Sequence, residues 1–559
     1  MGLLQRLEVP GAPGRARMLD NEDLRPTPLS RRTWGKVFYG LFWLTAVPNV
    51  TNMTSGGSWL TLGMSLWEGV GCSTAGYAIA AALMVVNGRP GAKYHIGFPV
   101  ACRSSFGVYG AMWPALNRAF MACLWQGVNA VSGAQALYLT LYAIFPTLKN
   151  WTNHMDSRSG LTSPEMLMFF LFSGAVAVMF LLDMKKWKYF VHTKMAAFLI
   201  SAAGMLAWTL TAAGGAGDVL TAPATVHGST KSWLLLRLVL TQAASCATFI
   251  SNSSDFQRNA TKPSDPILGN LIGFPISNFI TQVIGMIVCS SSTKIYGALI
   301  WNPITLMKLL LEDNYSSKYR AAAFFIGALQ VYSLMFSCLF ENVMPCGNDL
   351  AALCPRWISI KRGFVICILV SILLNPWYLL GSASVFITVI SSYQIFLFSI
   401  VGIQLVDYYW VSKGSFDIEQ LYTPSKSGKY FYTYGFNLRA FAAYLCGVAV
   451  NFAGFLTNFG IIESVKLERS YYFAIFTTTF VAAAVYAGLN VAFPQANKQE
   501  VWSEPKGRWE PSDEQLAVGG VAAGRISDSI EGEKDAETLE KADEAAAEVR
   551  AAQLPELRV

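Results

Sequence analysis

Apolar residues in this chain gather into long runs separated by short polar connectors, without the strict alternation of half-buried strands. Twelve runs stand out, near 37–62, 67–87, 112–143, 165–182, 192–214, 234–254, 270–296, 320–344, 363–381, 382–408, 437–460 and 470–493. Roughly 17–25 apolar residues is what an α-helix needs to cross a hydrocarbon layer, so each run predicts a membrane-spanning helix. The runs 166–182, 271–289 and 382–406 carry no charge at all. Composition strengthens this reading. Of 559 residues 53% are hydrophobic and only 14% charged, with a mean hydropathy of +0.38, whereas about 25% charged is usual for a soluble chain. The prediction is an all-α polytopic membrane protein. The first 30 residues are polar and Arg-rich, which predicts no cleavable signal peptide, and Gly2 lacks the Ser or Thr at position 6 that myristoylation needs.

The charges orient the helices. Arg25, Arg31, Arg32 and Lys36 precede span 1, Arg89, Lys93 and Arg103 follow span 2, Lys185, Lys186 and Lys188 follow span 4, and Arg356, Lys361 and Arg362 follow span 8. Basic connectors stay in the cytoplasm, and an even number of spans then places both termini there. The sequons Asn150–Thr152 and Asn314–Ser316 fall in connectors assigned to the other side. The chain divides into an N-terminal tail (1–34), a core of ten spans (35–410), two further spans (411–495) and an acidic, Ala/Glu-rich tail (496–559) that reads as a disordered cytoplasmic extension. The net charge of +7 forms no patch with interleaved aromatics, so nucleic acid is not expected as a partner; the lipid bilayer is. Cys72, Cys123, Cys246, Cys289, Cys367 and Cys446 lie within apolar runs with no CxxC pair, and the four histidines have no metal-ligand spacing, so no metal site is expected.

Two spans contain breaks. Span 1 reads "LTAVPNVTNMTSGG", with Pro48 and a polar run inside the apolar stretch, and span 6 reads "TQAASCATFISNSSD". They correspond if spans 1–5 and 6–10 are repeats. Interrupted helices at matching places point to a midplane binding site in a secondary transporter. Small residues that merely let helices pack closely are the alternative for either span alone.

Five motifs occur in order: "YHIGFPVACRSSFG" (94–107), "CATFISNSSDFQR" (246–258), "WNP" (301–303), "GNDLAALCPRWISIKRG" (347–363) and "SSYQIFLFSIVGIQLVDYYWV" (391–411). Together they resemble the nucleobase–cation symporter-1 family, in its fungal uracil/allantoin/uridine permease branch, over residues 22–495. The resemblance implies a 5+5 inverted-repeat fold like the sodium-coupled amino-acid transporters, plus two C-terminal spans. Substrate would lie between spans 1, 3, 6, 8 and 10.

Carried onto this sequence, the resemblance implies substrate-binding roles for Trp125, Asn129, Ala244, Ser245, Cys246 and Asn342. In "WQGVN" Trp125 matches, while Asn129 stands where the family has Gln. Residues i and i+4 share a helix face, so an indole able to stack on a flat heterocycle and an amide able to read its edge can meet one ligand. Packing is the other reading of Trp125. Ala244–Cys246 replace a Gly-x-aromatic triplet, so a second stacking ring is missing or comes from elsewhere. In "FENVMPCGND" Asn342 aligns with the family's substrate-binding Asn. Glu341, about 100° away on an ideal helix, is either a proton-carrying acid or a carboxyl hydrogen-bonded inside the bundle. Pro345 and Gly347 predict the helix end, and Asp349 a residue that pairs with a base or caps the turn. Tyr393, Gln394 and Phe396 align with the substrate gate, with aromatic packing as the alternative. His95 reads as structural rather than as a proton relay.

The coupling ion follows from one substitution. Sodium-coupled members carry adjacent Ser and Thr hydroxyls one turn before the span 8 Asn. Here Phe336 and Ser337 stand in their place. Losing a hard oxygen weakens a sodium site, which favours a proton, with Glu341, Ser337 and Asp349 as coupling candidates. The expected function is proton-coupled import of a nucleobase or related heterocycle across the plasma membrane, uracil or allantoin leading, with no cofactor. A nucleoside, thiamine or nicotinamide riboside importer is the alternative, and a non-transporting sensor a third. Nothing resembles a nucleophile elbow or phosphate loop, so an enzyme is not expected. The Lys residues and acidic tail suggest ubiquitin-ligase machinery as a partner, by resemblance to fungal permeases.

Overall fold

The computed structural model describes residues 8–9, 18–179 and 187–505. Gly2, Lys185, Lys186 and the acidic tail beyond residue 505 lie outside these. Among the described residues the chain is all-helical, with two isolated β-bridges. The main helices are α1 (Lys36–Ala46), α2 (Val50–Leu60), α3 (Leu66–Asn87), α4 (Met112–Ile144), α5 (Ser163–Val178), α6 (Trp187–Ala212), α7 (Gly228–Ser245), α8 (Phe274–Tyr296), α9 (Ser317–Ser337), α10 (Met344–Leu353), α11 (Ile360–Leu373), α12 (Ala383–Ser392), α13 (Gln394–Val406), α14 (Leu438–Asn458) and α15 (Ala474–Ala492). They cover all twelve predicted runs. Seven helices among the described residues are long and apolar enough to cross a membrane. Leu171, Ile200, Phe325, Leu373, Leu445 and Phe480 point outward and exposed, as a lipid-facing surface requires.

Helix ends follow local chemistry. Ser65 and Glu68 form a reciprocal capping box at α3, and Thr162 and Glu165 form one at α5. The predicted break in span 1 falls between α1 and α2. Span 6 is interrupted at Cys246 and again at Asn252, with short helices Ala247–Ser251 and Ser253–Gln257 between and after. Both broken spans therefore sit at matching places in the two halves of the core.

Three boundaries differ from the sequence reading. Span 8 does not end at Pro345 and Gly347: a π-helical segment, Cys338–Val343, joins α9 to α10, and Pro345 sits in the first turn of α10, where a missing N–H costs little. Span 9 stops at Leu373 rather than 381, because Asn375 turns left-handed (φ 49°) ahead of Pro376. Span 10 divides at Tyr393 into α12 and α13 without Pro or Gly. Tyr471 donates to the carbonyls of Ser391 (2.9 Å) and Ser392 (3.0 Å), and Asn458 donates to that of Thr388 (3.1 Å), so distant side chains satisfy the freed backbone.

The described N- and C-terminal segments meet the same end of the bundle. Asn21 donates to the carbonyl of Pro355, and Glu504 pairs with Arg89 and Lys93. Residues 496–505 are thus packed on the bundle, beyond the boundary drawn at 496. The sequons lie exposed at the opposite end, where Tyr315 bonds the carbonyl of Tyr142.

Candidate substrate and ion site

Pro48 is the origin of the site. It has no N–H and its ring crowds the preceding turn, so α1 stops at Ala46. Asn49 then caps α2, its side chain accepting from the Asn52 N–H at 2.9 Å. The carbonyls left between the helices cannot stay unsatisfied in a dry interior. Lys194 of α6 donates to the Ala46 carbonyl, which Ser337 of α9 also approaches at 3.5 Å. Asn52 donates to Val47 (2.7 Å) and Ser333 to Pro48 (3.4 Å). The Asn49 amide reaches the Ser337 hydroxyl at 3.0 Å and the Glu341 carboxylate at 3.4 Å.

A cleft lies where the two broken spans face each other, about 560 Å³ with its mouth included. Tyr77, Trp125, Phe249 and Phe274 give it aromatic walls, and Asn52, Asn129, Gln242, Asn278, Glu341 and Asn342 give it polar ones. Apolar walls with a few placed polar groups are what a small-molecule pocket needs. Most of the polar groups are already engaged. Gln242 accepts from the Trp59 indole (3.0 Å) and donates to Ser245 (3.0 Å), and Asn129 hydrogen-bonds Glu341. The Asn342 amide nitrogen is buried and donates to nothing in the protein. Glu341 and Asn342 both lie in the π-segment and both line the cleft.

Beyond the cleft, four of the sequence motifs converge. Asn348 donates to Asp255 at 2.6 Å, and the Phe98 N–H donates to the same carboxylate oxygen at 2.9 Å. Beside them Arg118 and Asp349 form an ion pair at 2.5 Å, sealed from solvent. Asp407 of span 10 accepts from Ser104 (2.6 Å) and Tyr486 (2.9 Å). A polar layer of this kind ties spans 3, 6, 8 and 10 together at the end that carries the termini.

The family described as permeases for cytosine/purines, uracil, thiamine and allantoin matches residues 26–476. The chain belongs to this permease family. It is 38% identical over 445 residues to an uncharacterized permease of Schizosaccharomyces pombe, covering 80% of this chain and 75% of that one. It is 34% identical to the uridine permease of Saccharomyces cerevisiae (86% and 76% covered) and 33% identical to that yeast's allantoin permease (85% and 76%). Its fold is that of Mhp1, a nucleobase-cation-symport-1 family transporter solved in a closed conformation with bromovinylhydantoin bound. The TM-score is 0.67 at 19% identity, over 86% of this chain and 97% of that one. The permease is a multi-pass membrane transporter.

Within this permease Trp125, Asn129, Ser245, Cys246 and Asn342 line the cleft, and Ala244 does not, being packed fully into the core. Ring faces on the span 6 side come from Phe249, three residues past Cys246, and from Phe274 of α8. Tyr393 stands one shell back, accepting from the Trp125 indole (3.2 Å) and donating to the Ser245 carbonyl (2.7 Å). Gln394 is buried against Tyr471, and Phe396 faces Phe455 of α14 at 5.7 Å, so neither reaches the cleft. Ser337 sits at the break, and Asp349 in the layer beyond. His95, in a left-handed conformation at the end of the short helix Arg89–Tyr94, holds the Arg258 carbonyl at 3.0 Å.

The sequence reading missed Asn52, Tyr77, Gln242, Phe249, Phe274, Asn278, Arg118 and Lys194. A lone charge inside an apolar span was the available signal for the last two. It also missed that Cys123, Cys346 and Cys367, from three helices, bring their sulfurs within 4.8 Å of one another. Such a trio has the donor type of a soft-metal site, and no linear spacing announces it.

Proposed function

We propose that this permease imports a nucleobase or related flat heterocycle, uracil or allantoin first, by proton symport with alternating access. One observation carries the reading: the unpartnered Asn342 amide, buried between aromatic walls where the two broken helices meet. A planar ring would stack on Trp125 or Phe249 and give an acceptor to Asn342. The family relationship and the yeast allantoin permease support the substrate class.

Proton rather than sodium coupling rests on Phe336, which stands where sodium-coupled members of the family it resembles carry a hydroxyl, and on Glu341, an acid on the cleft wall. Tyr393, at the joint between α12 and α13, would gate the cleft through its bond to Trp125. The protein would sit in the plasma membrane with both termini in the cytoplasm. The packing of the described C-terminal segment against Arg89 and Lys93 supports that orientation.

A nucleoside is the second reading. The likeness to the uridine permease favours it, as does the short Asn129 side chain, which is drawn onto Glu341 rather than across the cleft. Uptake of radiolabelled uracil by cells lacking their own permeases, with and without an uncoupler, tests both readings, with allantoin, uridine, uric acid and thiamine as competitors. Saturable, uncoupler-sensitive uptake supports import. Uridine displacing label better than uracil moves the assignment to nucleosides, and no uptake of label by surface-expressed protein removes the uracil assignment.

A further inference from the structure

Three thiols meet between the cleft and the polar layer. Cys123 of α4 lies between Arg118 of the layer and Trp125 of the cleft, and Cys346 of α10 lies between Asn342 and Asp349. Cys367 comes from α11. The contact between α10 and α11 is built on Gly347 and Gly363: a Cβ on Gly363 would stand 2.6 Å from the Gly347 Cα, so no larger residue fits. Cys346 adjoins the first glycine and Cys367 lies one turn past the second, so this approach carries the two sulfurs together. All three side chains are buried. The Cys123 and Cys346 sulfurs are 3.6 Å apart, and all three sulfurs lie within 4.8 Å of one another. A buried thiol by itself is a small hydrophobe and needs no further account. Three of them from three helices, converging on one point, are a ligand set. A metal bound at about 2.3 Å to three sulfurs in one plane holds them about 4.0 Å apart, within the range these sulfurs already show.

We propose that Cys123, Cys346 and Cys367 bind a soft monovalent metal ion, Cu(I), through three sulfurs. Cys thiolates select Cu(I), zinc and iron–sulfur clusters. Zinc closes its structural sites with four ligands, and among the described residues no His, Asp or Glu joins the three sulfurs as a fourth. Iron–sulfur clusters are likewise held by four protein ligands. Three soft donors suit Cu(I). Binding forms three Cu–S bonds and releases two thiol protons to solvent, so that the cation and three neutral thiols become a group with a single negative charge. Arg118 is in place for that charge. It gives one nitrogen to Asp349, its buried Nε has no partner, and its charge reaches the Cys123 and Cys346 sulfurs. The bound ion would tie α4, α10 and α11 together behind Trp125 and Asn342, and so set the distance between two residues of the cleft wall.

The test uses the full-length permease, purified without oxygen, in a background carrying Cys72→Ala, Cys354→Ala and Cys446→Ala. Those thiols are exposed or half-buried and would take up metal adventitiously. Cu(I) is offered as its bathocuproine disulfonate complex, whose colour reports what the protein removes. The expected result is uptake of a single ion per chain, a rise in Tm, and an X-ray absorption spectrum with three sulfur ligands. Cys346→Ala and Cys367→Ala should each abolish that uptake, while the metal-free variants keep a cooperative thermal transition. Uptake that survives either substitution overturns the proposal, and so does no uptake by the background protein. Zinc taken up in preference to Cu(I) overturns it as well. If an alanine variant does not fold, the absorption spectrum of the background protein decides: nitrogen or oxygen ligands, or fewer than three sulfurs, overturn the site. None of these readouts involves transport, so failure of the import reading leaves the result intact.

Discussion

The Arg118 guanidinium donates to the Asp349 carboxylate at 2.5 Å, and neither side chain is more than 1% exposed. The pair crosses from α4 to α10, next to the Asp255–Asn348 bond, and ties the two helices together. Removing one partner leaves a buried charge uncompensated. Arg118→Met or Asp349→Asn should therefore cost about 3–5 kcal/mol of stability. Thermal unfolding in detergent reads this directly. The double variant Arg118→Met/Asp349→Leu should recover much of the loss, since it removes both charges at once; a double variant as unstable as the sum of the singles would show that the ion pair is not what couples them.

Asn342 has the opposite character. Its amide nitrogen donates to no group in the protein, so truncation breaks no internal bond there. Asn342→Ala should leave the Tm close to wild type while raising the KM for uptake about 10-fold or more, the cost of one unmade hydrogen bond in a dry site. A large fall in Tm with unchanged KM would mean that the residue is structural.

Much of the architecture was legible because a bilayer imposes one simple demand, a long apolar run per crossing, and because Pro48 announces its own break. Where a helix bends for reasons that lie far along the chain, the sequence is silent. Nothing in "VISSYQIF" marks Tyr393 as a joint, since the groups that permit it are Tyr471 and Asn458. The π-segment is equally hidden. Nothing in "CLFENV" announces the wider winding of Cys338–Val343, on which Glu341 and Asn342 both line the cleft. Alignment by motif located Trp125 and Asn342 on the cleft wall, but it carried Ala244 and Phe396 to positions whose side chains turn elsewhere. The aromatic walls of Phe249 and Phe274 escaped because a ring in an apolar run looks like packing until its neighbours are known.

Glu504 gives a pH-dependent clamp outside the membrane. Burial pushes its carboxyl up, but the bonds from Arg89 and Tyr408 and the charge of Lys93 outweigh that and hold it below its ordinary value. A depressed carboxyl stabilises the docked segment above its unfolded value of about 4.3, and that stabilisation is lost as pH falls through the folded value. Protection of residues 496–505 from hydrogen exchange, relative to the unstructured chain at the same pH, should thus be high and constant around neutral pH. Glu504→Gln should lower it there, while Glu500→Gln, whose side chain is not part of the clamp, should not. Equal exchange in wild type and Glu504→Gln would remove the clamp.

Tyr393 ties α13 to the cleft through one hydroxyl. It accepts from Trp125 and donates to the Ser245 carbonyl, so it couples the ring that would stack on substrate, the break in span 6 and the joint between α12 and α13. Tyr393→Phe keeps the ring and removes both bonds. The Trp125 indole then loses its partner and the Ser245 carbonyl loses a donor, at about 1–3 kcal/mol for each buried group left unsatisfied. If the hydroxyl only fixes Trp125 for binding, KM should rise and the maximal rate hold. If it also times the opening of span 10, the maximal rate should change too, with exchange and net uptake affected unequally. Kinetics of uptake and of counterflow, measured side by side on Tyr393→Phe, separate the two, and an unchanged KM with an unchanged rate would show that the hydroxyl serves neither.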